Sequence, residues 1–360
     1  MSGETLARGA GAGDDPGRVA VRLALGCGPL VVAAALTLAA VAGPPPLVYQ
    51  YVPLVLSVVV LGLPHGAVDH LALPRARGDP VTPRSLALVG LLYLIVGGAY
   101  AVVWFLAPVV AFVLFILVTL VHWGQGDVYA LVALAGADHL ETRTRRLLTL
   151  VVRGALPMLV PLVAFPAQYA FVAETLVGSF DPGAAAALEP AFAPPVRAAV
   201  AVGVGAAVAL ALTLGFVGAG REDGSRGRAR GPWAVDLVET LGLVAYFAVV
   251  PPILAIGLYF CFWHSLRHVL RTMLVDPVAG AALDRGAFGA ACRRFARDAA
   301  LPTAGGLAVF AGIWLSAPRT PGTVPDLIAL YLVAIAVLTL PHVVVTTLLD
   351  REQRLWSPSA

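Results

Sequence analysis

The chain has no lysine; all 24 of its basic residues are arginine. An enzyme that forms a Schiff base through a lysine amine is therefore excluded, and so is an opsin that carries retinal on one. Cysteine is scarce as well. Cys27, Cys261 and Cys292 are odd in number and far apart, so no disulfide framework is implied. Charged residues make up only 12% of the chain, where a soluble domain carries about 25%. The formal net charge of +3 is small and scattered, which excludes a nucleic-acid surface as the expected partner. Residues 1–18 lack the apolar stretch and cleavage site of a removable signal, and are expected to form a disordered cytoplasmic tail.

What the chain does have is apolar length. Of its 360 residues 59% are hydrophobic, and the mean hydropathy is +0.87. The apolar residues fall in runs of about 18–25, each able to cross a hydrocarbon layer roughly 30 Å thick. The expected fold is all-α: one polytopic transmembrane bundle over 19–349 with about ten spans (eight to ten) and a tail at 350–360. The runs lie near 19–42, 47–68, 86–106, 108–131, 147–178, 196–219, 233–250, 253–275, 299–317 and 326–349. Pro44-Pro45-Pro46 and Pro251-Pro252 separate neighbouring spans, because proline removes a backbone donor and disfavours helix in the residue before it. Ten spans put nearly all arginines outside the apolar runs on one side, including Arg143, Arg145, Arg146 and the Arg285–Arg297 group. That asymmetry places both termini in the cytoplasm of a multi-pass cell-membrane protein. The stretch 221–231 reads as a flexible polar linker, and 276–298 as room for a short surface helix.

Ionisable side chains inside a membrane mark function, because lipid offers them no partner. There are seven histidines. His139, in a polar stretch, is expected to be a solvated loop residue. His65, His122, His264, His268 and His342 lie on four spans that all run in the same direction. At 1.5 Å per residue they sit about 17–27 Å below the outer ends of their helices, in one layer. His264 and His268 are four apart and project from one helix face. Pro64 and Gly66 loosen the chain around His65, and Gly124 and Gly126 permit close approach near His122. Asp69 and Asp127 follow their histidines by four and five residues, as carboxylates that orient an imidazole do or as markers of the membrane exit. His70 points away from His65 and is expected beside the site rather than in it; His342 is deep enough to be a ligand or a hydrogen-bonding neighbour. Such a set suits Fe(II), Zn or Cu, and a buried apolar setting turns the balance towards iron and dioxygen with a lipid-soluble substrate.

The segments LGLPHGAVDH, VHWGQGD, FCFWHSLRH and LPHVV, in this order within apolar spans, resemble the Brp/Blh family of membrane β-carotene 15,15′-dioxygenases over about residues 50–349. The resemblance implies a non-haem Fe(II) held by His65, His122, His264 and His268. It also implies insertion of O₂ at the central double bond of β-carotene to give two all-trans retinal, and a retinal-binding rhodopsin as metabolic partner in the same membrane. A tunnel for so rigid a hydrocarbon would be lined by aromatics, with Trp123, Tyr259, Phe260 and Trp263 foremost and Trp104, Phe105 and Phe262 also eligible.

Two other classes compete. A di-iron desaturase needs about eight histidines including adjacent pairs, and the chain has no His-His pair. A transporter or haem protein would use the histidines in a polar pathway with buried mid-span carboxylates; Asp and Glu sit mostly near the ends of the expected spans, with Asp236 and Glu239 on the seventh as the exceptions.

Overall fold

The computed structural model describes residues 17–220 and 226–357. Nearly all of the expected tail, 1–16, and the first part of the expected linker, 221–225, lie outside the described residues. Among those described there is no strand, and nine helices are long and apolar enough to cross a membrane. They are α1 (Gly17–Ala42), α2 (Pro83–Leu106), α3 (Pro108–Leu134), α4 (Arg143–Ala164), α5 (Pro194–Ala219), α6 (Arg226–Val249), α7 (Pro252–Val275), α8 (Phe288–Ser316) and α9 (Val324–Glu352). Their starts are written in the sequence. Proline opens α2, α3, α5 and α7, where a missing amide proton costs nothing. Thr82 and Thr323 cap α2 and α9 through reciprocal bonds with Ser85 and Asp326.

Four expectations need correction. The second span, 47–68, is not a continuous helix. It runs as Leu47–Gln50 and Val52–Ser57, then an irregular stretch, one 3₁₀ turn at Leu63–Gly66, and a short helix at Asp69–Arg77. Pro53 and Pro64 remove amide donors, and Leu61 sits in left-handed backbone at φ 61°. Gly62 is obligatory: a Cβ there would fall 2.4 Å from the Ser57 carbonyl oxygen and 2.9 Å from the Phe260 ring. The expected span 147–178 divides at Pro166 into α4 and the helix Pro166–Gly178. The described part of the linker, from Arg226 onward, is already the first turns of α6. Helix α8 starts at Phe288, well before the expected 299, while Pro277–Asp284 forms the short helix foreseen ahead of it.

The broken segment nevertheless traverses the bundle. It lies along α7, with Gly257 against Pro53, the Cys261 thiol donating to the Pro53 carbonyl (3.6 Å), and the His65 ring against those of His264 and His268. It runs equally along α9, from the Ser57–Tyr331 hydroxyl pair (2.9 Å) to Asp69 and His342 (2.7 Å). Helix α3 follows α9 in the same sense, from Phe112 near Leu330 to Gln125, which donates to Thr347 at 2.9 Å. The four histidine-bearing segments thus run in one direction, as the order of the expected spans implied. Both described ends of the chain lie at the same end of the bundle: Ala20 and Ala24 pack on Val269 and Met273, and Leu355 packs on Val128 and Tyr129. The described part of the C-terminal tail, to residue 357, is tied to the bundle, where Arg146 donates to the carbonyls of Leu355 (2.5 Å) and Ser357 (2.9 Å). Nearby, Asp276 caps Pro277–Asp284 and pairs with Arg294 (2.6 Å) and Arg75 (3.0 Å). Burial alone would raise its carboxyl, but the two arginines and the capping amides hold it below the usual aspartate range.

Helices α3 and α4 approach at backbone distance. A Cβ on Gly154 would lie 1.9 Å from the Leu120 carbonyl oxygen, and one on Gly124 would lie 2.2 Å from that of Leu150. Small residues at such crossings let helices pack without a hydrophobic drive between them. Gly154→Ala is therefore expected to destabilise the detergent-solubilised protein by about 1–3 kcal/mol or more, as overpacking does. Gly203→Ala, where the added methyl meets nothing within 4 Å, should leave the melting temperature unchanged or raise it.

Candidate metal centre

Five imidazoles converge in the interior. His65 comes from the 3₁₀ turn, His122 from α3, His264 and His268 from α7, and His342 from α9 just after Pro341. All are 2–8% exposed. Ring centroids of His65 lie 5.9 Å from His122, 5.3 Å from His264, 5.5 Å from His268 and 5.1 Å from His342. Those of His122 lie 4.5 Å from His264 and 4.6 Å from His342. Two backbone irregularities shape the cluster. One is the break that carries His65. The other is a π-helical turn at Tyr259–Ser265 in α7, which shifts the register of His264 against the rest of that helix.

The rings are oriented from behind and open in front. His65 Nδ1 bonds the Gly62 carbonyl, and His342 Nδ1 bonds Asp69 at 2.7 Å. Nε2 of His65, His268 and His342 and Nδ1 of His122 are buried without any hydrogen-bond partner. His122 Nε2 and His264 Nε2 face each other at 2.9 Å. Ligating atoms of His65, His122 and His342 come within 4.8 Å of one another, and so do those of Asp69, His268 and His342. Leaving several buried nitrogens unpaired costs about 1–3 kcal/mol each, and a cation among them would remove that cost. The donor set is nitrogen-rich, free of thiolate and in a dry setting, so it fits a borderline metal ion.

Other expected residues fall differently. Asp69 orients His342 rather than His65 and also accepts from the Tyr93 hydroxyl at 2.6 Å. Asp127 has no histidine partner. It accepts from Trp263 Nε1 (2.8 Å) and Arg267 (3.0 Å). His70 is half-buried and stands apart from the five rings. His139 is not solvated: it is 3% exposed, with Nε2 3.1 Å from Asp236, because its short 3₁₀ turn is packed under α5 and α6.

An apolar cavity, open at its mouth, reaches His65 and His122. From there it extends past Phe260, Trp123, Ile116 and Ile335 towards Tyr51, Phe171, Pro252 and Pro325, the last two at the starts of α7 and α9. Of the expected tunnel residues, Trp123 and Phe260 line it. Tyr259 and Trp263 lie behind this wall, stacked on each other at 5.9 Å between centroids. Trp104 is buried against Phe180 and Phe105 packs edge-on to that same Phe180, and neither these two nor Phe262 borders the cavity.

Behind Trp263 lies an ion network that the sequence reading missed. Arg153 pairs with Asp236 (2.9 Å), Glu239 (3.1 Å) and Asp127 (3.5 Å), and Arg267 pairs with Glu239 (2.5 Å) and Asp127. The Arg267 guanidinium also lies 4.2 Å from the centre of the Trp263 ring. Asp236 and Glu239 are thus engaged with arginines. The available signal was Arg153 itself, a charge in the middle of the apolar run LLTLVVRGALPM, and Arg267 between two clustered histidines.

The fold and site define a multi-pass membrane protein with a buried histidine cluster at one end of an apolar cavity. Comparison with known proteins gives the family. A family model described as beta-carotene 15,15'-dioxygenase matches residues 56–350, and the chain belongs to that family of carotenoid-cleaving oxidoreductases. It is 46% identical over 304 residues to "Probable beta-carotene 15,15'-dioxygenase Blh" of Halobacterium salinarum, covering 84% of this chain and 85% of that protein. "Probable beta-carotene 15,15'-dioxygenase Brp" of the same organism is 34% identical over 315 residues, 84% of each chain. No solved structure matches.

The ion network carries its own test. Arg153→Met would leave three buried carboxylates with one arginine between them, and removing one partner of a buried pair costs about 3–5 kcal/mol. Thermal unfolding in detergent should show a large loss for that variant. Arg297→Met, at a site 71% exposed, should show almost none.

Proposed function

We propose that the chain cleaves β-carotene at its central 15,15′ double bond with O₂, giving two all-trans retinal, at an Fe(II) held by His65, His122, His264 and His268. The observation that carries this reading is the meeting of imidazoles from separate crossings, two of them bordering the apolar cavity. Bound there, iron would supply the redox chemistry that brings dioxygen into reaction with a polyene. The stoichiometry closes without a further reductant, since both oxygen atoms end in the two aldehydes.

The rest is the work of the chain's own residues. Neutral imidazoles present lone pairs without adding negative charge, and the hydrocarbon-lined cavity keeps water from the reacting atoms. β-Carotene offers no polar handle, so Trp123 and Phe260 would set its register by shape and ring contact. Phe260 lies edge-on to His65 with centroids 5.5 Å apart, which puts an aromatic wall beside the cluster. A substrate this apolar partitions into lipid and would enter from it. The product suits a retinal-binding rhodopsin in the same membrane as consumer. The arginine asymmetry supports a cell-membrane location with both termini in the cytoplasm.

Expression in bacteria that make β-carotene is expected to bleach the carotenoid and accumulate retinal. His264→Ala and His268→Ala should each lower retinal formation by at least about 100-fold while the protein still inserts and purifies as a folded species. Retained colour with well-expressed, iron-loaded protein would contradict the assignment.

A further inference from the structure

We infer that His342 presents its Nε2 to the same ion as the other four histidines, with Asp69 and Tyr93 as the pair that positions it; this rests on the metal reading above and deepens it. His342 Nδ1 lies 2.7 Å from Asp69 Oδ2, and the same oxygen accepts from the Tyr93 hydroxyl at 2.6 Å. A carboxylate at Nδ1 keeps the ring proton there, so Nε2 carries the lone pair. That nitrogen is buried and has no partner in the protein. The ring sits within the cluster, with its centroid 4.6 Å from His122, 4.9 Å from His268 and 5.1 Å from His65.

The backbone is shaped to admit this ring. A Cβ on Gly66, one residue after His65, would come 3.2 Å from His342 Nδ1. The break in the second crossing therefore places His65 and makes room for His342 in the same turn, while the helix that follows delivers Asp69. Tyr93 reaches Asp69 from a π-helical turn at Tyr93–Gly97 in α2. Among the described residues Asp69 is the only carboxylate hydrogen-bonded to any of the five rings. Four neutral imidazoles leave a divalent charge uncompensated. A carboxylate hydrogen-bonded to an imidazole passes part of its negative charge through the ring towards the ion.

The test is metal binding by the purified full chain in detergent, read as Fe(II) content and affinity and as the visible absorption of the Co(II)-loaded protein. The wild type should take up one metal ion per chain. His342→Ala and Asp69→Asn should each weaken binding about 10–100-fold and change the intensity and position of the Co(II) bands, as loss of a ligand or of its orienting partner does. Tyr93→Phe should have a smaller effect in the same direction. His342→Gln, which keeps bulk and polarity, should not restore wild-type affinity. Wild-type affinity and an unchanged Co(II) spectrum in His342→Ala, alongside loss of metal in His264→Ala, would overturn this inference and leave the four-histidine reading standing. A wild-type chain that binds no metal would remove both. Should His342→Ala fail to fold, Asp69→Asn decides the matter by the same two readouts.

Discussion

Several imidazoles buried together, with inward-facing nitrogens that no protein group satisfies, create a deficit that the rest of the structure answers. Each ring has one nitrogen that donates and one that accepts, and in a dry interior both need a partner. Here the Gly62 carbonyl and the Asp69 carboxylate satisfy the nitrogens behind His65 and His342, while the nitrogens that face inward are left over. A cation held among these nitrogens would close the arrangement. The 3₁₀ turn at His65 and the π-helical turn at His264 help bring these rings to one place.

Bringing them there requires departures from regular helix that a membrane tolerates only under cover. Irregular backbone at membrane depth survives when protein shields it. The 3₁₀ turn that carries His65, Leu63–Gly66, packs against α7, α8 and α9, while Val59 and Val60 just before it are exposed. The π-helical turn at Tyr259–Ser265 is likewise walled in, with six of its seven residues buried. Rigid support comes from behind. The network of Arg153, Arg267, Asp127, Asp236 and Glu239 ties α3, α4, α6 and α7 together next to Trp263. Charges so deep are costly unless fully paired, and their value here lies in fixing which faces of those helices meet.

Much of this was legible from residue type and spacing. The apolar runs gave the class of fold, the arginines in their connections gave the parity of the crossings, and equal depth gave the histidine layer. Pro64 and Gly66 pointed to a loosened chain at His65, although not to a crossing broken into four short pieces; that outcome depends on contacts with Phe260 and Tyr331, far away in sequence. Asp69 read naturally as the companion of His65, four residues back, yet tertiary packing hands it to His342. His139 looked solvated because its neighbours are polar, while its partner Asp236 comes from a helix nearly a hundred residues on. Local pattern reports periodicity and depth. It does not report which buried polar groups find one another.

X-ray absorption at the iron edge of the purified protein tests the central claim most directly. The claim predicts a nitrogen-dominated shell with strong imidazole multiple scattering, about one iron per chain, and no sulfur or porphyrin contribution. A haem signature, a sulfur shell, or protein that purifies folded without metal would contradict it.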